Sequence, residues 1–566
     1  MFQIIIGWIV AAMIGILYLF INDPANAHPD HITQNETRVI GGRQVIVSSK
    51  QRAVAREYAR YKAPKTAPTF EEFCFPRKYK LQRQQLFMAD FMKPVAKPKE
   101  ALVFHNMGAG KTCLAIQVMK RWCKRGKPLI VMPAALIPGF RAEMRSPCGG
   151  LPGNGESPYA MSNENPLVPG SREYNDALDE SDNEIDRDYH IMSFNKFAES
   201  GSRINAPLII VDEVQNVSSG DGAFFGAIIK WIEAHSDATV MIMSGTPIFD
   251  SIAEIYSLAR MLRIKSEAIT PKNIPRLFDG KVSYFAGAPA YTFPRVHVKI
   301  VKCEMSKNQA KWYANQVAVE KSVHGTKELE MPKNFYIGTR MRANIALPSG
   351  QKDDRGLREL TADKVRMLEN YSCKFVKLVK RLTRDGLALV YSGFVGAAGI
   401  AAITTILDIL GWKNFLTDGP GAKRYAVFSG DTTSRQKDLI RATFNDSSND
   451  DAQKIRVIIG SPSIKEGVSL MRIESVHIME AYWNHSRLAQ IYARAVRYCS
   501  HKSLPKASRA VTIYIYCAWT KKPLPTPDNS IDLYMLAIAD KKRDQNWPYI
   551  QALINCAVDR LIHYPK

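Results

Sequence analysis

"VFHNMGAGKTCLAI", residues 103–116, decides how the chain is read. An apolar run ends at His105, a Gly-bearing turn follows, and Lys111 opens a stretch whose apolar residues recur at helical spacing. Such a turn binds phosphate because successive backbone N–H groups converge at a helix N-terminus, where glycines permit the dihedrals and the close approach. Gly108, Ala109 and Gly110 form the turn. Lys111 is placed to reach β- and γ-phosphates and Thr112 to ligate Mg²⁺, so the stretch predicts an ATP site. His105 occupies the position where the opening glycine of such loops usually stands. That position precedes the cradle itself, and nucleotide binding is expected to survive.

Working outward, "ALVFH" (101–105), "PLIVMP" (128–133), "PLIIVDE" (207–213) and "TVMIMSG" (239–245) are continuous apolar runs ending at polar or Gly-rich turns. They read as buried parallel strands of a doubly wound α/β domain, whose ligands sit at the strands' carboxyl ends. Asp212 and Glu213 fall at such an end. One carboxylate there suits Mg²⁺, and the other suits orienting and deprotonating an attacking water. Gln215 stands where it could relay the state of the γ-phosphate. The stretch from Gly149 to Asp186, Gly/Pro-rich and then acidic, reads as an inserted surface loop.

A second α/β series begins near 370 with "LALVYSGF" (387–394), "YAVFSG" (425–430), "IRVIIGS" (455–461), "SVHIMEA" (475–481) and "AVTIYIYCA" (510–518). Two such domains in tandem are expected to face each other across a cleft. In "QIYARAVRYCSH", Arg494 and Arg497 fall three residues apart, which places both on one face if the segment is helical. Positive charge brought to a γ-phosphate from a second domain acts as an arginine finger. Trp312 and Tyr313 could stack a base, although adjacent aromatics are more commonly core.

Lys and Arg number 77 against 54 Asp and Glu, a net charge of +23, which favours a polyanionic partner: nucleic acid or an anionic membrane. The nine cysteines are scattered without a C-x-x-C pair and read as reduced thiols rather than a zinc site or disulfide framework. Residues 4–21 carry no charge over 18 positions, long enough for a membrane-spanning helix. A cleaved signal peptide is the rival, with "ANA" (25–27) resembling its cleavage site, but the basic n-region is absent. The basic residues that follow place the body of the chain on the cytoplasmic side.

The ordered set "LQRQQ", "GAGKT", "MPAALIPGFRAEM", "DEVQ", "SGTP", "VYSGF", "GSPSIKEGVSL" and "QIYARAVR" resembles the superfamily 2 helicases and translocases over about residues 67–520. "GKVSYF", "EMSKNQAKWY" and "VHIMEAYWNHSRLAQIYARAVRYCSHKSLP" are similar, more narrowly, to helicase-like proteins of large nucleocytoplasmic DNA viruses. That group includes the poxvirus early transcription factor small subunit and nucleoside triphosphatase I. The resemblance implies that Gln85 contacts adenine and that Ser244 and Thr246 couple hydrolysis to movement. It further implies that Glu466, Gly467 and Gln490 complete the site with Arg494 and Arg497. Ala493 departs from the glycine usual before the first of those arginines, and the apolar N-terminus is not a feature of the group.

The expected architecture is two tandem RecA-like doubly wound parallel-sheet domains, with a small accessory region and an N-terminal transmembrane helix. Its parts are an anchor (1–27), a basic tether (28–66), an ATP-binding domain (67–265), an accessory region (266–369), a C-terminal helicase domain (370–520) and a helical tail (521–566). The expected activity is ATP- and Mg²⁺-dependent movement along DNA, or RNA, serving viral transcription. Expected partners are nucleic acid, a membrane through residues 4–21, and viral RNA polymerase or transcription factor subunits; the expected location is the virion and the host cytoplasm. An initiation or termination factor that does not unwind processively, and an inactive virion scaffold, are the alternatives.

Overall fold

The computed structural model describes residues 37–564 apart from 41–42, 65–67, 96–98, 151–155, 162–170, 219–221, 266–267, 325–334, 352, 466–468 and 523. A two-stranded antiparallel hairpin, β1 (Thr37–Ile40) and β2 (Arg43–Ile46), comes first. The next six strands are β3 (Glu100–His105), β4 (Leu129–Met132), β5 (His190–Ser193), β6 (Leu208–Val211), β7 (Thr239–Ser244) and β8 (Val282–Phe285). All pair in parallel, in the order β5-β4-β6-β7-β3-β8.

The sequence of these strands explains their burial. Leu102, Phe104, Val131, Ile209, Val211, Val240 and Ile242 pack into a core on one face of the sheet. Their chain neighbours Val103, Ile130, Met132, Leu208, Ile210, Met241 and Met243 pack into another on the opposite face. With alternate side chains pointing to opposite faces and both faces covered, every position must be apolar, which is why the runs show no alternation.

The second sheet holds β9 (Arg295–Glu304), β10 (Ala388–Tyr391), β11 (Lys413–Asn414), β12 (Arg424–Phe428), β13 (Val457–Gly460), β14 (Ser475–Ile478) and β15 (Ala510–Trp519). Its order is β11-β12-β13-β10-β14-β15-β9, again parallel throughout. The chain therefore forms two parallel-sheet α/β units. Tyr291–Arg543 belong to one, and the described residues up to Ala290 join those from Asp544 onward in the other.

Several expectations need correction. The stretch 266–369 is divided between the sheets: β8 pairs with β3, and β9 pairs along its whole length with β15. Part of the basic tether is folded, since the helix Ser49–Glu57 has a complete capping box between Ser48 and Gln51, and buries Val54 and Ala55 in the first unit's core. The Gly149–Asp186 insertion is not all loop. Its acidic half continues into a helix, Arg172–Asp188, capped by Ser171 and held by Arg141 and Arg145 on Asp182 and Asp186. Like-charged Asp and Glu on a helix become compatible with folding once arginines from the neighbouring helix Ile137–Arg145 face them.

The cysteine reading also changes. Cys113, in the first turn after the Gly-bearing loop, and Cys148 form a disulfide across a sequence separation of 35. Cys123, Cys303, Cys373, Cys517 and Cys556 carry free thiols. Among the described residues no helix is long and apolar enough to cross a membrane; the anchor read at 4–21 lies outside them.

Candidate nucleotide site

Strand order builds this site. β6, β7 and β3 lie side by side, so the turns at their carboxyl ends converge although the chain separates them widely. After β3, Gly108 (φ 78°) and Gly110 (φ 76°) adopt the left-handed conformation, and Gly110 caps the helix Lys111–Trp122. A Cβ on Gly110 would stand 2.5 Å from Gln85 Nε2, so both the backbone and the space require glycine there. Gln85 Nε2 donates to Gly110 O at 3.2 Å, and its Oε1 accepts from Gln82 N at 2.8 Å. Gln84 Nε2 donates to Ala109 O at 3.3 Å. Both glutamines thus hold the loop, and Gln84 is a participant the sequence reading passed over, although it stands beside Gln85 in "LQRQQ".

His105 is accounted for by its two ends. Only its backbone faces the loop, where its carbonyl accepts from Lys111 Nζ at 3.0 Å. Its ring is fully buried on the other side, with Nε2 2.8 Å from Ser283 Oγ, which in turn donates to Asp559 Oδ2. Burial pushes the imidazole's pKa down to about 3, against the pull of Asp559, so the ring is neutral. His105 is not among the residues with positive φ, and its position therefore does not demand glycine.

Lys111 Nζ also lies 3.4 Å from Asn106 O, and a Cβ on Gly245 would approach it to 3.3 Å, so the end of β7 passes close to the ammonium. Thr112 follows in the first helical turn. At the end of β6, buried Asp212 accepts from Glu213 N at 2.9 Å. Glu213 is held at φ 50°, a left-handed conformation costing a non-glycine residue roughly 1–2 kcal/mol. That turn aims Glu213 Oε2 at Gln215 Nε2, 2.5 Å away. Gln215 Oε1 accepts from Ser244 Oγ at 2.6 Å, and Ser244 Oγ accepts from Thr246 N at 2.8 Å. A carboxylate can only accept, which fixes the amide's nitrogen towards Glu213 and its oxygen towards the serine hydroxyl. The four residues form one continuous hydrogen-bonded chain from the end of β6 to the end of β7.

Desolvation first, and then the charge of Glu213, raise the pKa of Asp212 to about 7, while Lys111 pulls it down. An unfolded Asp titrates near pH 4. Between about pH 4 and 7 the folded chain holds a proton that the unfolded chain has lost, so this group's contribution worsens as pH rises through that window. Asp212→Asn removes the buried charge. The variant is expected to be more stable than the parent by roughly 2–4 kcal/mol at pH 8, converging with it towards pH 4. Urea titrations across that range measure the difference; a gap independent of pH would contradict the assignment.

In the second unit, Gln490 lies on the helix His485–Tyr492, whose N-cap Asn484 accepts from Arg487 N at 2.9 Å. Arg494 and Arg497 do not share a helix face as expected, because the helix ends at Tyr492. Leu470 N donates to Arg494 O at 3.1 Å and Arg497 donates to Ser469 Oγ, tying this stretch to the segment after residue 468 instead. Burial, and next the charge of Arg494, lower the pKa of Arg497 to about 9. Glu466 and Gly467 lie outside the described residues. Tyr313 is core, its hydroxyl bonded to Pro527 O and Ile531 N at 2.6 and 2.7 Å, and Trp312 packs under the Arg342 guanidinium.

A phosphate-binding loop at the head of one parallel α/β unit, followed by a second such unit, defines the nucleic-acid-dependent ATPases of helicase type. The "Helicase conserved C-terminal domain" family model matches residues 373–499. A protein of Acanthamoeba polyphaga mimivirus, named ATP-dependent RNA helicase R563, is 36% identical over 506 residues, covering 82% of this chain and 87% of its own length. Helicase 087L of Invertebrate iridescent virus 3 is 27% identical over 524 residues, and this chain spans 51% of it. The termination factor NPH-I homolog of African swine fever virus is 23% identical over 507 residues, 74% of this chain and 69% of that protein. The chain belongs to the superfamily 2 helicases of large nucleocytoplasmic DNA viruses.

Proposed function

We propose that this chain hydrolyses ATP, with Mg²⁺, to move along or remodel a nucleic-acid strand, DNA in preference to RNA, during viral transcription. The observation that carries the reading is the hydrogen-bonded chain from Glu213 through Gln215 to Ser244 and Thr246, beside the loop that holds Lys111. A carboxylate that activates water is thereby tied to a second strand end, which gives hydrolysis a route to conformational change. Lys111 and the N–H groups of Gly108–Thr112 hold the phosphates, and Gln85 borders the base. The donor set fits a hard cation: buried Asp212 and the Thr112 hydroxyl would hold Mg²⁺, which neutralises charge on the β- and γ-phosphates when bound. Glu213 takes the proton from the attacking water. The family resemblance assigns Arg494 and Arg497 the role of supplying charge to the transferred phosphoryl group, and assigns Glu466, Gly467 and Gln490 to the same function.

A second reading, an initiation or termination factor that remodels a polymerase complex without processive unwinding, is favoured by the similarity to the African swine fever virus termination factor homolog. ATP hydrolysis measured without polymer, and with single-stranded DNA, duplex DNA or RNA, tests the proposal. Stimulation by one DNA form above RNA is expected. Greater stimulation by RNA would overturn the DNA preference, and indifference to every polymer would point to a polymerase subunit as activator. No hydrolysis in any condition would leave a scaffold.

A further inference from the structure

In the second unit, no carboxylate among the described residues forms an ion pair with the guanidinium of Arg340 or of Arg487. Arg340, on the helix Ile337–Asn344, is 8% exposed, and its buried Nε has no hydrogen-bond partner. Its guanidinium carbon lies 5.3 Å from the ring centre of Phe394, 5.8 Å from Tyr482 and 5.5 Å from Trp483. The Arg487 guanidinium carbon lies 4.0 Å from the ring centre of Tyr482, and Arg487 donates to the tyrosine hydroxyl at 2.6 Å. Tyr482 and Trp483 stack at 3.9 Å. Phe394, Tyr482 and Arg487 are half-buried and reach the surface, and the adjoining Val395 is exposed.

Aromatic faces attract a cation but do not satisfy its N–H donors, and a buried charge without a counter-ion is costly. Glu480, bonded to the helix that carries Arg340, is committed elsewhere: it accepts from Ser392 Oγ at 2.8 Å, from Gly393 N at 2.6 Å and from Asn344 Nδ2. Those bonds serve the cluster in another way. They fix the turn that carries Phe394 to the helix that carries Arg340, so the rings and the guanidinium are held in place before any ligand arrives.

We propose that Arg340, with Arg487, is a phosphate subsite for the backbone of a nucleic-acid strand, framed by Phe394, Tyr482 and Trp483. A guanidinium fork matches two phosphodiester oxygens, and half-exposed aromatic rings beside it suit a neighbouring base. The inference rests on the proposed nucleic-acid-dependent function and names a contact for it.

The test uses the full chain without nucleotide and a labelled oligo(dT) of about 20 nucleotides, with oligo(U) in parallel, titrated between about 50 and 200 mM salt. Arg340→Gln is expected to weaken oligonucleotide binding about tenfold and to lower the slope of log affinity against log salt by about 0.7, one phosphate contact on a single strand. Arg340→Lys should recover the slope and only part of the affinity, because the charge returns without the fork. Arg487→Gln should act in the same direction, and it carries the test alone if a thermal melt shows Arg340→Gln misfolded. Parent-like affinity and slope in the folded variants would overturn the subsite while leaving the proposed function standing. A raised KM for ATP with unchanged oligonucleotide affinity would reassign the cluster to nucleotide phosphate. A parent chain that binds no oligonucleotide would overturn both readings.

Discussion

Replacing Lys111 by Ala is expected to reduce ATP turnover by at least about a hundredfold, and Glu213→Gln by about a hundred- to ten-thousandfold. The two losses have different origins. The Lys111 ammonium sits against the carbonyls of His105 and Asn106 and is the basic side chain at the loop, so its removal takes away charge compensation for the phosphates. Glu213→Gln keeps the volume and the capacity to bond Gln215 but loses the base. A further readout separates them. The charge of Glu213 raises the pKa of Asp212 and that of Lys111 lowers it, so the Asp212 carboxyl should titrate lower in Glu213→Gln and higher in Lys111→Ala. Single-turnover hydrolysis and carbonyl-region infrared titration measure the two effects. Parent-like turnover in either variant would remove that residue from the proposed chemistry.

Lys374→Met is expected to destabilise the second unit by roughly 3–5 kcal/mol, the cost of leaving a buried ion unpaired. Lys374 is 0% exposed and Asp532 2%, with Nζ 2.8 Å from Asp532 Oδ2. Burial acts to lower the lysine's pKa, but the charges of Asp532 and Glu480 outweigh it and hold the pKa above its ordinary value. The ammonium also donates to Asn344 Oδ1 at 3.0 Å and Met479 O at 2.7 Å. It therefore joins β14's exit, the helix bearing Arg340 and the helix Ile531–Asn555. Adding Asp532→Asn removes the stranded charge while keeping an oxygen for Ala518 N, now bonded to Asp532 Oδ2 at 2.9 Å. The double variant should recover most of the loss. Urea midpoints give both values. A single variant within about 1 kcal/mol of the parent would mean that water replaces the ammonium at no great cost.

How much of this was legible before folding differs from residue to residue. The loop Gly108–Thr112 and the pair Asp212–Glu213 could be read because each works through neighbours in the chain: a strand, a turn and a helix start within a few positions. The strands around them were legible because burial on both faces leaves an unbroken apolar run. β5, β8 and β9 were not. His190–Ser193 and Val282–Phe285 are short and mixed, and Arg295–Glu304 alternates with Lys and His, as suits a strand at the edge of its sheet. The helical reading of Arg494 and Arg497 was wrong because spacing alone cannot reveal that the helix stops at Tyr492, after which Leu470 N bonds Arg494 O.

The sequence by itself determined where the residues proposed to bind phosphate, ligate a cation and activate water stand, at strand ends and a helix start, since strand burial and the glycine turn are set locally. Tertiary structure decided which of them meet. The order β6-β7-β3 brings Ser244 to Gln215. Ser283 and the C-terminal Asp559 turn the His105 ring away from the loop. The disulfide between Cys113 and Cys148, and the uncompensated Arg340 among three aromatic rings, belong to the same kind of fact. Each depends on contacts between segments whose separation along the chain carries no local signal, and only the closing of the sheets and their cores fixes those distances.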